Sequence, residues 1–328
     1  MTKTAFVTGG TGFVGVNLVE QLTAAGWTVT ALHRKTSNLK YLSRLPVTLA
    51  EGSITDPDAL DRALPENVDA VFHVAANVSL TSRRNAGQTR DNVDGTRNMV
   101  AAALAKNAKR FIHTSSVAAF GIHDERVSEE TPSNAGEVPI NYFRTKAMAE
   151  EEVRKGIEHG LDAVIINPAN ILGPYDTRGW ARLIHLVHDR KLPGIGPGGG
   201  SFCHVREVAK AHISAVETGG KGETYLLGGA DASYLELVRM VAEIVGGKAP
   251  EKAISPGMMR LTGRIMPLLA RLSGREPVVT PEIAMLSSRT IIVSSDKAMR
   301  ELDFKAVPLR EMVEDACKWM RAEGLISG

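Results

Sequence analysis

The chain has 328 residues, 43% of them hydrophobic, and its 39 basic and 37 acidic residues leave a net charge of +2, which gives no field suited to nucleic acid. Its two cysteines, Cys203 and Cys317, lie far apart and form neither a disulfide framework nor a metal spacing, so we expect a cytoplasmic protein. We expect no signal segment at the start of the chain, and no apolar run approaches the roughly 20 residues that span a bilayer.

A short strand, a glycine-rich turn and a helix follow one another at the N-terminus. Residues 4–8 form a β-branched and apolar run, long enough for one buried strand. After the turn, apolar residues recur at helical spacing until Gly26, at Val14, Leu18, Val19 and Leu22. This order is the context in which a glycine turn binds the phosphates of a dinucleotide.

The turn itself combines three features that suit a pyrophosphate. It consists of Gly9, Gly10, Thr11, Gly12, Phe13, Val14 and Gly15. We expect Gly10 and Gly12 to let the backbone turn tightly and approach the phosphates, and Gly15 to let the helix pack closely on the strand. The helix N-terminus would supply N–H donors and a positive dipole. The alternative is an ordinary turn between two core elements.

Five further strands alternate with helices in the first half of the chain. The predicted strands cover residues 28–33, 46–50, 69–74, 109–114 and 161–167. The longest predicted helix covers 83–107, with Val93, Met99, Val100 and Leu104 facing inward. Such alternation predicts an α/β fold with a doubly wound parallel sheet of the Rossmann type. Ligands of these sheets bind beyond the carboxyl ends of the strands, where the glycine turn also lies.

The chain becomes less regular after Pro168. A glycine and proline tract at 192–200 has no helix or strand potential and is interpreted as an ordered loop. Helices are predicted at 205–218 and 234–245, after Pro256 and at 309–323, with a strand at 223–227. We therefore divide the chain into a nucleotide-binding domain at 1–170 and a small substrate-binding lobe at 171–328. Segments near 201–218 return to the first domain.

Tyr142 and Lys146 are the clearest candidates for proton chemistry. They stand four residues apart on a predicted helix, so the phenol and the ammonium share one face. A free phenol titrates near pH 10, and a neighbouring cation favours the phenolate. Such a tyrosine can exchange a proton with a substrate oxygen while hydride moves to or from a nicotinamide. The alternative is a surface tyrosine and lysine that merely share a helix.

Several segments occur in an order that resembles the extended short-chain dehydrogenase/reductase superfamily. They are the glycine turn, His73-Val74-Ala75-Ala76, Asn92-Val93-Asp94-Gly95-Thr96, Ser115-Ser116, Tyr142-x-x-x-Lys146, the stretch from Asn167 to Pro174 and the stretch from His204 to Ala209. The chain looks closest to dihydroflavonol-4-reductase-like members and to the NAD-dependent epimerase/dehydratase family. The resemblance covers nearly the whole chain and is less specific for the reaction than for the superfamily.

The resemblance implies a role for each matching residue. It makes Tyr142 the general acid/base, and Lys146 the residue that binds the nicotinamide ribose and lowers the tyrosine pKa. Ser116 would hold the substrate oxygen, with Ser115 as the less favoured choice, and Asn92 would support the proton path. The small residues Ala75 and Ala76 would line the cofactor crevice, together with Asn77, Pro168 and Asn170. Pro168 would close over the nicotinamide.

The end of the second predicted strand indicates NADP(H) as the cofactor. An NAD site usually carries an acidic residue there for the ribose 2′-hydroxyl, whereas residues 32–37 contain none. Arg34 could stack on adenine and pair with a 2′-phosphate, and Lys35 and Ser37 could add donors. A solvated basic loop is the alternative. Ser53, followed by Ile54, stands where relatives usually carry an aspartate for the adenine, and would bind it more weakly.

The substrate side points to a small uncharged or apolar carbonyl compound or alcohol. Relatives that bind sugar nucleotides carry an arginine shortly before the position of His204, whereas residues 199–203 contain no cation. Arg178 and Arg182 could compensate from a preceding helix. We therefore predict NADP(H)-dependent reduction of an aldehyde or ketone, or the reverse oxidation. The alternatives are a sugar-nucleotide epimerase or dehydratase with tightly bound NAD(P), and an NADP-binding regulatory protein without turnover.

Three further features complete the sequence-based expectations. The helix after Pro256 carries an apolar stripe and arginines, and is either a lid packed on the substrate side or a basic amphipathic surface for lipid or an acidic partner. His185 and His188 have no acid or thiol placed to complete a metal site, so no metal is expected. The helices at 83–107 and 142–159 suggest a homodimer, because relatives often pair through them.

Overall fold

The computed structural model describes residues 2–80, 85–273 and 280–327, and the side chains of the same ranges except 267–273. Eleven strands lie within these ranges. They are β1 Thr4–Thr8, β2 Thr28–His33, β3 Thr48–Glu51, β4 Ala70–His73, β5 Phe111–Thr114, β6 Ala163–Pro168, β7 Asn170–Leu172, β8 Gly199–His204, β9 Thr224–Leu227, β10 Ala230–Ser233 and β11 Thr290–Ile291.

Twelve α-helices connect or cover these strands within the described part of the chain. They are α1 Phe13–Ala24, α2 Pro57–Ala63, α3 Asn85–Thr89, α4 Gly95–Ala105, α5 Asn141–Glu158, α6 Trp180–His188, α7 Val205–Glu217, α8 Tyr234–Val245, α9 Pro256–Ser273, α10 Pro281–Leu286, α11 Asp296–Glu301 and α12 Leu309–Ala322. None of those helices is both long and apolar enough to cross a membrane.

Seven parallel strands form the main sheet, in the order β3-β2-β1-β4-β5-β6-β9. The strand order reverses between β1 and β4, where Thr8 is paired with His73. This reversal opens a crevice beyond the carboxyl ends of both strands, which is where such sheets bind ligands. The predicted doubly wound Rossmann fold is confirmed, and the segment predicted as a strand at 223–227 supplies the seventh strand.

Both faces of the main sheet are covered, which explains the near-continuous apolar runs of its strands. On one face, Phe6, Val71, Phe111 and Ile165 pack with residues of α2, α4 and α5. On the other face, the alternate strand residues pack with residues of α1 and α7. The two faces hold the carboxyl ends of the strands rigidly in place, and the candidate site lies at those ends.

A second sheet lies in the C-terminal half, with β8 at its centre. Strand β10 pairs with β8 in the antiparallel sense, while β7 and β11 pair with it in parallel. The sequence-based interpretation of 192–200 as a loop is wrong at its end, because Gly199 and Gly200 begin β8. A Cβ at Gly199 would lie 2.5 Å from the carbonyl oxygen of Ala232, so only glycine permits this close pairing.

The long helix predicted at 83–107 is divided. Residues 83–84 lie outside the described residues, and the rest forms α3, a π-helical turn at Arg90–Asp94, and α4. Val93, Met99 and Val100 are buried as predicted, and Leu104 is half-buried. A π-helical turn often marks a functional site, and this one contains Asn92.

Candidate active site

The glycine turn is held by close backbone packing. Gly9 adopts a φ of +72°, and a Cβ there would lie 2.6 Å from the amide nitrogen of Ala75, beyond β4. The amide of Gly12 donates to the carbonyl oxygen of Gly9 over 2.9 Å, and a Cβ at Gly15 would collide with that same oxygen. The left-handed residue of the turn is therefore Gly9, and Gly15 packs against the turn itself.

The N-terminus of α1 offers free donors to an anion. Gly12 is the N-cap and has no side chain to accept from the first amides, and the first turn contains no acidic residue. Its helix dipole is therefore not offset by a local carboxylate, which favours a phosphate at this point. The arrangement fits the pyrophosphate of a dinucleotide cofactor, which Thr11, Phe13 and Val14 would border.

The residues expected at the adenosine end form two loops at neighbouring strand ends. Arg34 and Lys35 are exposed just after β2, and Ser37 closes their turn by accepting from the Arg34 amide over 3.1 Å. After β3, the hydroxyl of Ser53 is 2.9 Å from that of Thr55. Ile54 is half-buried against α4. The guanidinium of Arg34 and the ammonium of Lys35 are thus exposed to solvent beside the crevice.

Ser116 and Tyr142 are brought together at the carboxyl end of β5. Ser116 caps the short 3-10 helix Val117–Phe120, and its hydroxyl accepts from the amide of Ala118 over 3.2 Å. Its side chain also lies beside the Tyr142 phenol. Burial raises the pKa of Tyr142, and the neighbouring Ser116 opposes that rise. The net shift is upward, opposite to the lowered pKa expected from the sequence, because burial outweighs the stabilising contact.

Lys146 lies one turn further along α5 and is buried. Its Nζ donates to the carbonyl oxygen of Thr114 over 2.9 Å. Burial lowers the pKa of Lys146 to about 8, against the opposing attraction of Glu150. The lysine is therefore held beside the end of β5, and its charge is sensitive to small changes of pH above neutrality.

Asn92 anchors the loop that follows β4. Its Oδ1 accepts from the amide of Asn77 over 2.7 Å, and its Nδ2 donates to the Asn77 carbonyl and to the hydroxyl of Thr145, each over 3.0 Å. Its side-chain amide is therefore fully engaged in joining the crevice loop, which contains Ala75, Ala76 and Asn77, to α5. The side chain of Asn92 therefore holds the loop after β4 against α5.

Sequence reasoning missed a buried carboxylate beneath the serines. Glu150 Oε1 accepts from the hydroxyl of Ser115 and from Nδ2 of Asn167, each over 2.6 Å. Asn167 also donates to the carbonyl oxygen of Ser116 over 2.9 Å. Ser115 is thus turned toward Glu150, which leaves Ser116 as the serine beside Tyr142. Asn167 begins one of the segments that resemble the superfamily, but its contact with Glu150 is visible only in the folded chain.

Three buried histidines surround the strands that carry the site. His73 contacts the hydroxyls of Thr8 and Thr96 at 2.8 and 3.0 Å, and burial lowers its pKa to about 3. The ring of His113 stacks on that of His73, and neither of its nitrogens has a hydrogen-bond partner among the described residues. His212 contacts Thr114 at 2.8 Å, and burial lowers its pKa to about 4.

Tyr142 packs against a cluster of hydrophobic side chains. This cluster contains buried or half-buried side chains from several elements, namely Leu80, Ala118, Ile122, Val138, Ile140, Phe143, Met285 and Leu286. Strand β8 presents buried Ser201, Phe202 and Cys203, and Arg178 and Arg182 are exposed near the start of α6.

The last predicted cofactor contacts lie at the end of β6. Pro168 is buried there, while Asn170 in β7 donates through its Nδ2 to the carbonyl oxygen of Ser201 over 3.0 Å. That bond joins β7 to β8 within the second sheet. Among the described residues there is no cluster of histidine, cysteine or carboxylate groups that could hold a metal ion.

The fold and the site together define a Rossmann-type protein built for a nicotinamide dinucleotide. The sequence profile of the NAD dependent epimerase/dehydratase family matches residues 5–228, and the chain belongs to that family. The predicted superfamily resemblance is thereby confirmed.

Individual relatives extend the match over nearly the whole chain. A Synechocystis protein described as a candidate dihydroflavonol 4-reductase is 32% identical, covering 99% of this chain and 97% of its own length. Sterol demethylase protein B of Methylococcus capsulatus is 32% identical over 98% of this chain and all of its own. The crystal structure of gox2253 is 35% identical, with a TM-score of 0.87 and coverage of 99% of this chain and 100% of that one. Together with the family, they support an oxidoreductase that uses a nicotinamide cofactor.

Proposed function

We propose that the protein is an NADP(H)-dependent carbonyl reductase, able also to run the reverse oxidation of an alcohol. The observation that carries this proposal is the position of the Tyr142 phenol beside the Ser116 side chain, with buried Lys146 one helical turn away. The glycine turn and the uncapped N-terminus of α1 lie at the ends of the same sheet. This common edge of the sheet supports assigning proton transfer and dinucleotide binding to one crevice.

The reaction joins an aldehyde or ketone, NADPH and one proton to give the alcohol and NADP+. When bound, the nicotinamide supplies the hydride that forms the new C–H bond at the carbonyl carbon. The hydroxyl of Tyr142 gives its proton to the carbonyl oxygen and is reprotonated from solvent. Ser116 donates to the oxygen as negative charge develops on it, and Lys146 holds the ribose beside the tyrosine.

The preference for NADP(H) rests on Arg34, Lys35 and Ser37. These donors follow β2, and residues 32–37 contain no carboxylate to repel a 2′-phosphate. A guanidinium paired with a phosphate forms charge-assisted, often bidentate bonds. Ser53 and Ile54 would border the adenine from the neighbouring loop.

The substrate we propose is an uncharged, largely apolar carbonyl compound. Tyr142 packs against a cluster of hydrophobic side chains, and β8 presents no cation to a diphosphate. Relatives named for dihydroflavonol and sterol chemistry are consistent with such a compound. A charged sugar nucleotide would leave its phosphates without a buried positive partner.

Cofactor titration tests the first half of this proposal. We expect NADPH to bind more tightly than NADH, and Arg34→Glu to weaken NADPH binding roughly ten- to a hundred-fold while NADH binding changes little. Arg300→Glu, on the exposed face of α11, is the matched control and should change neither affinity. Tighter binding of NADH by the unchanged protein would contradict the role given to Arg34.

A further inference from the structure

Helix α9 exposes an apolar stripe that nothing among the described residues covers. Met258, Leu261 and Ile265 are 55%, 51% and 43% exposed. Their spacing places them on one face of the helix. Leu268, Leu269 and Leu272 continue the apolar sequence, but their side chains lie outside the described residues. We call the exposed surface of Met258, Arg260, Leu261, Arg264 and Ile265 the outer face of α9.

Arginines flank the stripe along one side. At about 100° per residue, Arg260 and Arg264 lie between the apolar stripe and the buried face of the helix. Both are exposed, and neither forms an ion pair with another described residue. The sequence from Lys252 to Arg275 contains no acidic residue, while its basic residues are Lys252, Arg260, Arg264, Arg271 and Arg275. The charge of this segment is therefore of one sign.

The opposite face of α9 is fixed to the protein, so the stripe cannot turn inward. Met259 is buried, and a Cβ at Gly263 would lie 2.8 Å from Cβ of Ala284 in α10. Helix α10 in turn contributes Met285 and Leu286 to the cluster around Tyr142. The outer face is consequently presented to solvent on a helix pair that covers the substrate side of the site.

We propose that the outer face of α9 binds the surface of a bilayer that contains anionic phospholipid. A helix with an apolar stripe bordered by cations lies in the interfacial plane, with the stripe among the acyl chains and the arginines at the headgroups. A convex helix suits a bilayer, which needs no matching groove. The acid-free stretch complements a negative lipid surface. This binding is independent of the reaction proposed above.

Vesicle sedimentation of the full-length protein tests the proposal. We expect binding to vesicles of phosphatidylcholine with phosphatidylglycerol, weaker binding in high salt, and little binding to phosphatidylcholine alone. Each basic residue near an anionic surface contributes roughly fivefold, so Arg260→Gln with Arg264→Gln should weaken binding by about 25-fold. Leu261→Ser with Ile265→Ser should also weaken it. The exposed pair on α11, changed as Met299→Ser with Arg300→Gln, is the matched control and should bind like the unchanged protein.

Several results would overturn the proposal. One is equal sedimentation with and without anionic vesicles, and another is unchanged binding by both α9 variants. A dimer in light scattering that Leu261→Ser with Ile265→Ser converts to a monomer would assign the face to a second copy. Binding to polyglutamate but not to vesicles would assign it to an acidic protein. An unchanged Tm and circular dichroism spectrum show that each variant is folded, and vesicle binding requires neither cofactor nor turnover, so failure of the proposed reaction is seen separately.

Discussion

The Nζ of Lys146 donates to the carbonyl oxygen of Thr114 over 2.9 Å, which ties the first turns of α5 to the carboxyl end of β5. The same strand end leads directly to Ser116, whose side chain lies beside the Tyr142 phenol. Two of the three proposed active-site residues thus stand on α5, and the third is positioned by the strand that α5 packs against. The contact explains how a helix and a strand share one site.

The pH dependence of turnover should report the charge of Lys146. Because burial lowers the pKa of Lys146 to about 8, its cation is present below that pH and is lost as the pH rises. We expect kcat/KM for the carbonyl substrate to fall above about pH 8. Lys146→Arg should move this fall to higher pH, while Lys155→Arg, at the exposed end of α5, should leave it in place. An unchanged profile in Lys146→Arg would contradict the assignment.

Asn167 should position Ser116 by holding the main-chain carbonyl of Ser116. Asn167→Ala removes the donor to Ser116 O and to Glu150, which leaves buried acceptors unpaired, and should lower the free energy of unfolding by about 1–3 kcal/mol. We expect kcat to fall while the affinity for NADPH is retained. Gln21→Ala removes an amide that donates to Arg206 O far from the site, and should leave kcat unchanged. Loss of stability with normal kcat in Asn167→Ala would leave Asn167 a purely structural role.

Gly9 and Gly26 form a matched pair for the glycine turn. Both have positive φ, +72° and +80°, but a Cβ would clash with Ala75 only at Gly9 and meets open space at Gly26. Gly26→Ala should cost about 1–2 kcal/mol of stability and leave NADPH affinity intact. Gly9→Ala should cost more and weaken NADPH binding, because the turn must shift away from β4. Thermal unfolding and fluorescence titration measure both effects, and equal affinities in the two variants would contradict this account.

The buried histidines should make the fold sensitive to acid. Burial lowers the pKa of His73 to about 3 and that of His212 to about 4, and it also lowers the pKa of His113. Between the unfolded pKa of about 6.5 and the lowered folded pKa of each histidine, the unfolded chain binds more protons, so each histidine removes up to about 1.4 kcal/mol of stability per pH unit as the pH falls. Above that pH, their contribution is constant.

His113→Phe isolates one of these contributions. It removes two ring nitrogens that have no partner among the described residues and keeps a ring against His73, so stability at neutral pH should be unchanged or higher. The fall in Tm between about pH 6.5 and pH 5 should become shallower. An acid dependence identical to that of the unchanged protein would show that His113 is already protonated in the fold.

Much of the fold and the main site groups could be predicted because they rest on local patterns. Parallel strands buried on both faces appear as apolar runs, and the carboxyl-end rule puts Ser116, which follows β5, at the same edge of the sheet as the glycine turn that follows β1. The hydrogen bond from Asn167 to Glu150 joins residues on different elements, and no residue spacing in the sequence predicts it. Gly199 and Gly200 are typical of a loop in the sequence, and only their pairing with β10 in the folded chain makes them part of a strand. The raised pKa of Tyr142 depends on burial, which the sequence does not measure.

The central claim is that Tyr142 transfers a proton during NADPH-dependent carbonyl reduction. The most direct test is the rate of NADPH oxidation across a panel of apolar aldehydes and ketones, with the unchanged protein and with Tyr142→Phe. We predict steady oxidation by the unchanged protein and a loss of roughly 10²- to 10⁴-fold in the variant, with NADPH affinity retained. Undiminished oxidation by Tyr142→Phe, or turnover of a sugar nucleotide without net change of cofactor, would contradict the claim.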